Sequence, residues 1–151
     1  MAHHLVHPGA DVPLSHHTLV AWQRADDLFI KLHVLSLKQF PAHERYEMGS
    51  QLRRAAYSVA ANIVEGMARR HRRSRLHFLN IAESSLAEVG YCIHAATRLG
   101  YFSETVAGEL EREVRGVGAP LTGLVRTTRL PAQSHLMVML LVTGGVIVSL
   151  A

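Results

Sequence analysis

Residues 50–66, SQLRRAAYSVAANIVEG, constrain the fold of this chain more than any other stretch. From position 48 onward, apolar or small residues recur at intervals of three or four: Met48, Leu52, Ala55, Val59, Ile63 and Gly66. This spacing places them on one face of an α-helix. Alanine and serine beside that face let a neighbouring helix approach closely. The stretch therefore predicts a helix that packs tightly against other helices.

A dense run of arginines, RRHRRSR at residues 69–75, follows this helix, and we name it the basic segment. It holds five of the 16 Lys and Arg residues, and the other 11 are balanced by 12 Asp and Glu residues. The positive charge is therefore concentrated in one place, which favours a partner with many negative charges. Guanidinium groups suit phosphate in particular. A solvated turn without a partner is the alternative interpretation of such a run.

The same periodicity predicts a first helix and sets the bounds of the second. Thr18 is the expected N-cap of the first helix. This helix ends near Phe40, because the proline at position 41 disfavours helical geometry in the residue before it. The second helix is expected to start within residues 42–47 and to reach about Arg70. The buried stripe of the first helix is predicted to comprise Trp22, Ala25, Phe29, Leu32 and Leu35 or Ser36, and to be widened by Leu28.

A third and a fourth helix are predicted after the basic segment. The third is expected to begin with Ser74 as its N-cap and to stop at Gly100, a residue type common at helix ends. Its apolar stripe is the most regular in the chain: Leu79, Ala82, Leu86, Val89, Ile93 and Ala96. Ser103 and Glu104 open the fourth helix, and Pro120 predicts a kink in its middle.

Four amphipathic helices joined by short loops predict an all-α, up-down-up-down four-helix bundle over residues 18–129. No strand-like alternation occurs within that range. Residues 1–17 are rich in histidine and lack helical periodicity, so we expect a flexible N-terminal arm.

Residues 130–151 form an apolar C-terminal tail that contains no Asp, Glu, Lys or Arg. If helical, its last 16 residues, 136–151, would span about 24 Å, less than the roughly 30 Å of a hydrocarbon core. The favoured interpretation is packing against the bundle or within an oligomer. Membrane anchoring and a β-hairpin are the alternatives.

Side chains that carry catalysis or bind metals form no recognisable pattern. His3, His4 and His7 lack the cysteine or acidic partners of a metal site. Cys92 is the single cysteine, so it can form no disulfide within the chain, and we expect a small buried apolar residue. Paired Glu-x-x-His motifs, a phosphate-binding glycine loop and a nucleophile elbow are absent. We therefore expect no enzymatic activity, cofactor or metal, and a cytoplasmic location, with membrane association through the tail as the alternative.

Three segments resemble a known protein family. They are WQRA at residues 22–25, FPAHERYEMGSQLRRAAYSVAANIVEGMAR at residues 40–69 and FLNIAESSLAEVGYCIHAATRLGYF at residues 78–102. From about residue 20 to residue 129 the chain is similar to the four-helix-bundle proteins encoded in 23S rRNA intervening sequences. The pattern SQxxRAxxSxxANIxEG is specific, since generic bundle composition rarely produces it. The accessory protein of diversity-generating retroelements is similar too.

The resemblance implies a bundle without recognised enzymatic activity that assembles into a ring-shaped homo-oligomer, expected to be a pentamer. The retroelement relative is a basic pentameric barrel that binds nucleic acid and a reverse transcriptase, so the resemblance implies both kinds of partner. The residues that match the family motif are implied to be structural or to mediate oligomerisation: Ser50, Gln51, Arg54, Ala55, Ser58, Asn62, Glu65 and Gly66. The small and acidic pattern of the third helix also matches: Ser84, Ser85 and Glu88. The apolar tail and the density of the basic segment depart from the family pattern.

Two polar members of the motif leave alternatives open. Asn62 and Glu65 lie beside the apolar face of the second helix. Either they are solvated or cap a neighbouring helix, or they form a hydrogen-bonded polar pair at a contact between helices or subunits.

These observations support two functional hypotheses. The first is an oligomeric, non-enzymatic protein that binds RNA or DNA through a basic patch composed of Arg53, Arg69, Arg70, Arg72, Arg73 and Arg75. Rotational symmetry would repeat the patch around a ring and strengthen weak phosphate contacts. The basic segment contains no aromatic residue, so base stacking is not indicated there. The second hypothesis is a protein-interaction scaffold in which the same patch docks an acidic partner and nucleic acid has no role.

Overall fold

Four α-helices and one short 3₁₀ helix make up the part of the chain that the structure, a computed structural model, describes, residues 15–130. The 3₁₀ helix is Ser15–Thr18, and the α-helices are α1 (Val20–Gln39), α2 (Met48–Ala68), α3 (Arg72–Arg98) and α4 (Glu104–Arg129). The predicted flexible arm, apart from its last residues, and the predicted apolar tail after residue 130 lie outside the described residues.

The four helices form a closed bundle. Each helix packs against the next one in sequence, and α1 also packs against α4. Short connections make sequential neighbours antiparallel, so the predicted all-α, up-down-up-down bundle is confirmed. Aliphatic side chains from all four helices fill the core, the largest fully buried ones being Leu28, Leu32, Leu52, Ile63, Leu79, Ile93, Leu110 and Leu121.

The apolar stripes of α2 and α3 are buried as predicted, whereas that of α1 is buried only in part. In α1, Ala21 and Leu28 occupy buried positions, and Trp22 and Phe29 are only half-buried. These two aromatic residues therefore pack against the core, as their place in the predicted stripe requires, without being fully enclosed. Both also line the boundary between α1 and α2.

The start of α2 lies later than predicted, because residues 42–47 form a turn rather than helix. Glu44 holds this turn together. Its carboxylate accepts hydrogen bonds from the backbone N–H of Met48 at 3.3 Å and from the hydroxyl of Tyr101 at 3.2 Å. Its carbonyl accepts from the N–H of Gly49 at 2.8 Å. The carboxylate thus satisfies a backbone donor that the first turn of α2 leaves free.

Two predicted N-caps were wrong, whereas the predicted helix boundaries at Phe40, Gly100 and Ser103 were correct. The residue before α1 is Leu19, not Thr18, and it makes no side-chain capping bond. The N-terminus of α3 is discussed with the basic segment below. Gly100 ends α3 with a φ of 77°, and the hydroxyl of Ser103 accepts a bond from the Val106 N–H at 3.3 Å at the start of α4.

Helix α4 continues through Pro120 without interruption. Proline has no N–H, so the carbonyl of Gly116, four residues earlier, loses its helical donor. The guanidinium of Arg24 on α1 replaces it, since its Nη1 donates to the Gly116 carbonyl at 2.8 Å. A side chain from the neighbouring helix therefore compensates for the proline.

Candidate nucleic-acid interface

The basic segment forms the corner between α2 and α3. Only residues 69–71 link the two helices, and Arg72, Arg73 and Arg75 belong to the first turn of α3. Ser74 therefore lies inside the helix, and His71 occupies the N-cap position predicted for Ser74. The short link brings the two helices close together. A Cβ atom at Gly66 would lie 3.3 Å from the Arg75 carbonyl oxygen.

Arg69 and Arg75 hold this corner in place. The guanidinium of Arg69 forms an ion pair with Glu65, one turn earlier on α2, and lies 4.7 Å from the ring centroid of Phe78 on α3. The Nη2 of Arg75 donates to the Arg69 carbonyl at 2.9 Å. These two arginines are therefore used within the chain, although their sequence positions suggested only surface charge.

Arg72 connects the corner to the end of α4. Its Nη1 donates to the carbonyl of Arg129, the last residue of α4, at 2.7 Å. Arg126 and Arg129 are both exposed in the final turn of that helix. Seven arginines thus gather at one end of the bundle, and we call this group the basic end: Arg69, Arg70, Arg72, Arg73, Arg75, Arg126 and Arg129.

The sequence interpretation missed the two arginines of α4. The predicted topology could have indicated these two arginines, since an up-down-up-down bundle places the end of its fourth helix beside the start of its third.

Arg70 and Arg73 are the arginines of the basic segment that have no partner in the described part of the chain. Both are exposed, and neither makes a hydrogen bond or ion pair with any residue between 15 and 130. Their guanidinium groups therefore keep all their donors available, and arginine donors match the geometry of phosphate oxygens.

The start of α3 has the electrostatics of an anion site. Its first turn contains no acidic residue, and His71 provides no side-chain capping bond. The first N–H groups of a helix lack intrahelical partners and carry a partial positive charge. Arg72 and Arg73 add two full positive charges at that point, and the buried Nε of Arg75 has no hydrogen-bond partner. The positive charges repel one another and the helix dipole, and a bound anion would reduce this repulsion.

Arg53 lies apart from the basic end. It sits near the start of α2, about 24 Å along the helix from Arg69. Its half-buried guanidinium donates to the hydroxyl of Ser36 at 2.9 Å and to the carbonyl of Arg45 at 2.8 Å. The structure therefore does not bring Arg53 together with the other predicted nucleic-acid-binding residues. Arg53 instead ties α2 to the end of α1.

Several motif residues meet in the contact between α2 and α3. The hydroxyl groups of Ser58 and Ser85 lie 2.9 Å apart. The amide nitrogen of Asn62 donates to the carbonyl of Ser58 at 2.8 Å and to its hydroxyl at 2.9 Å. These polar groups fix the register of the two helices, since an unpaired polar group would be costly there.

The remaining motif side chains extend this contact along its exposed edge. Gln51 donates from its Nε2 to the carboxylate of Glu88 on α3 at 2.7 Å and accepts a bond from Arg54. Glu65 pairs with Arg69 and not with Asn62, so the predicted polar pair does not form between those two residues. The motif residues with contacts therefore serve the α2–α3 contact and the corner that follows it.

The described residues contain no arrangement typical of a reactive or metal-binding site. Cys92 is buried, and desolvation, followed by the charge of Glu88, raises the pKa of its thiol above the ordinary value. Within residues 15–130, no group of three His, Cys, Asp or Glu side chains is placed to hold a metal ion. None of the helices described here is both long and apolar enough to cross a membrane.

Comparison with known proteins agrees with the bundle and its motif. The family described as 23S rRNA-intervening sequence protein matches residues 17–123. Among curated proteins, none matches significantly. A crystal structure of a protein of unknown function from the S23 ribosomal protein family of Bacteroides thetaiotaomicron is similar, with a TM-score of 0.66 at 19% sequence identity. The alignment covers 71% of this chain and 96% of that one, and at this identity the likeness concerns the fold alone.

Proposed function

Since the chain belongs to the 23S rRNA-intervening sequence protein family, and its bundle gathers seven arginines at one end, we propose that it is a non-enzymatic protein that binds nucleic acid through this basic end. The observation that carries the proposal is the exposure of Arg70 and Arg73 without partners among residues 15–130, beside the uncapped start of α3. Phosphate oxygens can satisfy both features at once.

The arginines of the basic end have two roles, one in holding the fold and one in binding. Arg69, Arg72 and Arg75 hold the corner through bonds within the chain, which fixes the positions of their neighbours. Arg70 and Arg73 then contact phosphates without first breaking a contact within the protein. Contacts of this kind release counterions and carry little sequence preference.

We further propose that the chain acts as a homo-oligomer, a pentamer in the family's expected form. A single basic end makes few phosphate contacts, so one protomer would bind weakly. Repetition of that end around a ring raises the effective concentration of the remaining sites once one of them is bound. Light scattering then gives a mass near five times the 16.7 kDa of one protomer. A stable single protomer at binding concentrations contradicts the oligomer.

The test of binding is the double substitution Arg70→Ser with Arg73→Ser, assayed by filter binding to labelled single-stranded RNA and DNA at several salt concentrations. We expect at least about tenfold weaker binding and a slope of log K against log salt that is shallower by roughly 1 to 2. The matched control is Arg98→Ser with Arg112→Ser, which removes the same charge from exposed sites on α3 and α4 outside the basic end.

Three results would count against nucleic-acid binding by this surface. One is unchanged affinity in the Arg70/Arg73 variant, and another is an equal loss in the Arg98/Arg112 control. The third is an acidic protein partner that excess RNA fails to displace, because this outcome favours the scaffold hypothesis. Circular dichroism of both variants should match the wild type, since none of the four side chains makes a contact within residues 15–130 that the bundle needs.

A further inference from the structure

A cleft of about 390 Å³ lies between the 3₁₀ helix, α1 and α2. Its size falls within the range of pockets that hold small ligands, roughly 300–1,000 Å³. Its lining includes the aromatic residues Trp22, Phe29 and Tyr57, and the imidazole of His16. Small side chains of α2, among them Ala60 and Ala61, lie between these rings and leave the space open. The carboxylates of Asp26 and Glu65 stand in its lining.

The aromatic walls of the cleft suit a flat ring. The edge-to-face contact of Tyr57 with Phe29, at 5.7 Å and 68°, holds the Tyr57 ring, which is 60% exposed. One face of the Trp22 indole is already stacked by the imidazole of His17, with the centroids 4.9 Å apart and the planes 25° apart. His16 makes an edge-on contact with the same indole at 4.8 Å, so the Tyr57 ring is the stacking surface left for a ligand. Bases stack on aromatic side chains in this way whatever their sequence, because every base has a π-face.

The cleft also contains a hydrogen-bond acceptor that has no donor among the described residues. Asp26 is half-buried and makes no hydrogen bond or ion pair with any residue that the structure describes. An ionised carboxylate only accepts hydrogen bonds. The exocyclic amines of cytosine, adenine and guanine can donate to it. Uracil offers only its N3–H, and the two carbonyl oxygens on either side of that N–H repel a carboxylate. A cleft of this composition therefore distinguishes amino-bearing bases from uracil.

The cleft and the basic end share an edge. Glu65 lines the cleft and also pairs with Arg69, so its charge is compensated at the boundary. Along α2, Ala61 and Arg69 are separated by about 12 Å. A single strand whose phosphates lie on the basic end therefore needs only a short stretch of chain to reach the cleft.

We propose that this cleft binds one base of a single strand held on the basic end, that the base stacks against the aromatic walls, and that Asp26 accepts a hydrogen bond from its exocyclic amine. The inference rests on the proposed function, because the phosphate contacts supply most of the binding. It adds a preference for amino-bearing bases, which the basic segment alone does not give.

The chain offers a built-in probe, because Trp22 is its single tryptophan. The experiment titrates the full chain with oligocytidylate and with oligouridylate of equal length, and follows both Trp22 fluorescence and binding. Oligocytidylate is expected to quench the fluorescence and to bind several-fold more tightly than oligouridylate. Tyr57→Leu should weaken oligocytidylate binding by about tenfold, and Asp26→Asn should abolish the preference, because an amide both donates and accepts.

The matched control is Tyr91→Leu, which removes another exposed tyrosine, on α3 and outside the cleft. It should keep the quenching and the preference. Equal affinity for the two oligonucleotides with unchanged Trp22 fluorescence overturns the cleft proposal, while salt-dependent binding in the same titration still supports the proposed function. Absence of binding to either oligonucleotide overturns both. Quenching by an arginine-rich peptide, and not by oligonucleotides, identifies the cleft as a site for cationic side chains and also overturns the proposal.

Discussion

At the scale of single residues, arginine acts in this protein as a donor to backbone carbonyls as much as a surface charge. Arg24, Arg53 and Arg72 each donate to a carbonyl on another element of the bundle or at its end. The guanidinium suits this role because it presents five N–H donors in a fixed plane. A count of charges along the sequence cannot separate these arginines from the ones that remain free.

The clearest residue-scale prediction concerns Arg24 and Pro120. Replacing Arg24 with methionine should lower the free energy of unfolding by about 1 kcal/mol, because the Gly116 carbonyl loses its donor. In a Pro120→Ala background the same replacement should cost much less, since alanine restores the N–H of the helix. Urea denaturation of the four proteins forms a double-mutant cycle. An Arg24→Met cost that is equal in both backgrounds contradicts the compensation.

The sequence predicts where arginines are concentrated, but it does not predict what each arginine contacts. It located five members of the basic end because they are adjacent in the chain. It included Arg53, which binds Ser36 and Arg45 at the other end of α2, because spacing alone cannot say where a side chain finds its acceptor. It omitted Arg126 and Arg129, which reach the corner only through the packing of α4.

At the scale of elements, helix faces were predicted better than helix ends. The stripes of α2 and α3 were correct, since burial of several apolar side chains outweighs any single local preference. The N-caps at Thr18 and Ser74 were wrong, because a cap contributes only about 1 kcal/mol, and the packing of neighbouring helices overrides it. For α3 the deciding contact is the close approach at Gly66, which leaves room for only three linking residues.

The element-scale prediction compares two glycines in helices that pack together. Gly66→Ala should destabilise the bundle, because the new Cβ would lie 3.3 Å from the backbone oxygen of Arg75, and backbone cannot easily shift there. Gly90→Ala on α3 should stabilise it by up to about 1 kcal/mol, since no atom lies within 4 Å and alanine favours helix. Thermal and urea unfolding measure the stability of both variants. Equal stabilisation by the two substitutions rules out a tight α2–α3 contact at Gly66.

At the scale of the whole molecule, the proposed binding surface coincides with the end of the bundle where positive charge is concentrated. The bundle places a positive helix end, seven arginines and an unpaired Nε at one end. The aromatic cleft beside it was not foreseen, because Trp22 and Phe29 were assigned to the core from their helical spacing. Their half-buried positions depend on how α1 rotates against α2, which packing decides and one helix alone does not show.

This interpretation predicts that stability and binding change in opposite directions when Arg73 is replaced by glutamate. A carboxylate in the first turn of α3 interacts favourably with the helix dipole and reduces repulsion among the arginines. The free energy of unfolding should therefore rise by about 0.3–1 kcal/mol, measured at matched protein concentration because association also affects it. Affinity for single-stranded RNA should fall further than in a single Arg73→Ser variant measured under the same conditions, because glutamate also repels phosphate.

The control for this prediction is Arg112→Glu, which makes the same charge change in the middle of α4. That position lies in the interior of the helix, outside the basic end and beside the carboxylates of Glu109 and Glu113, so this change should lower stability rather than raise it and should leave RNA affinity nearly unchanged. If Arg73→Glu instead lowers stability, the arginine serves the fold, and the start of α3 is not an anion site. If it raises stability and leaves RNA affinity intact, the unfavourable charge at this corner has a purpose other than nucleic-acid binding.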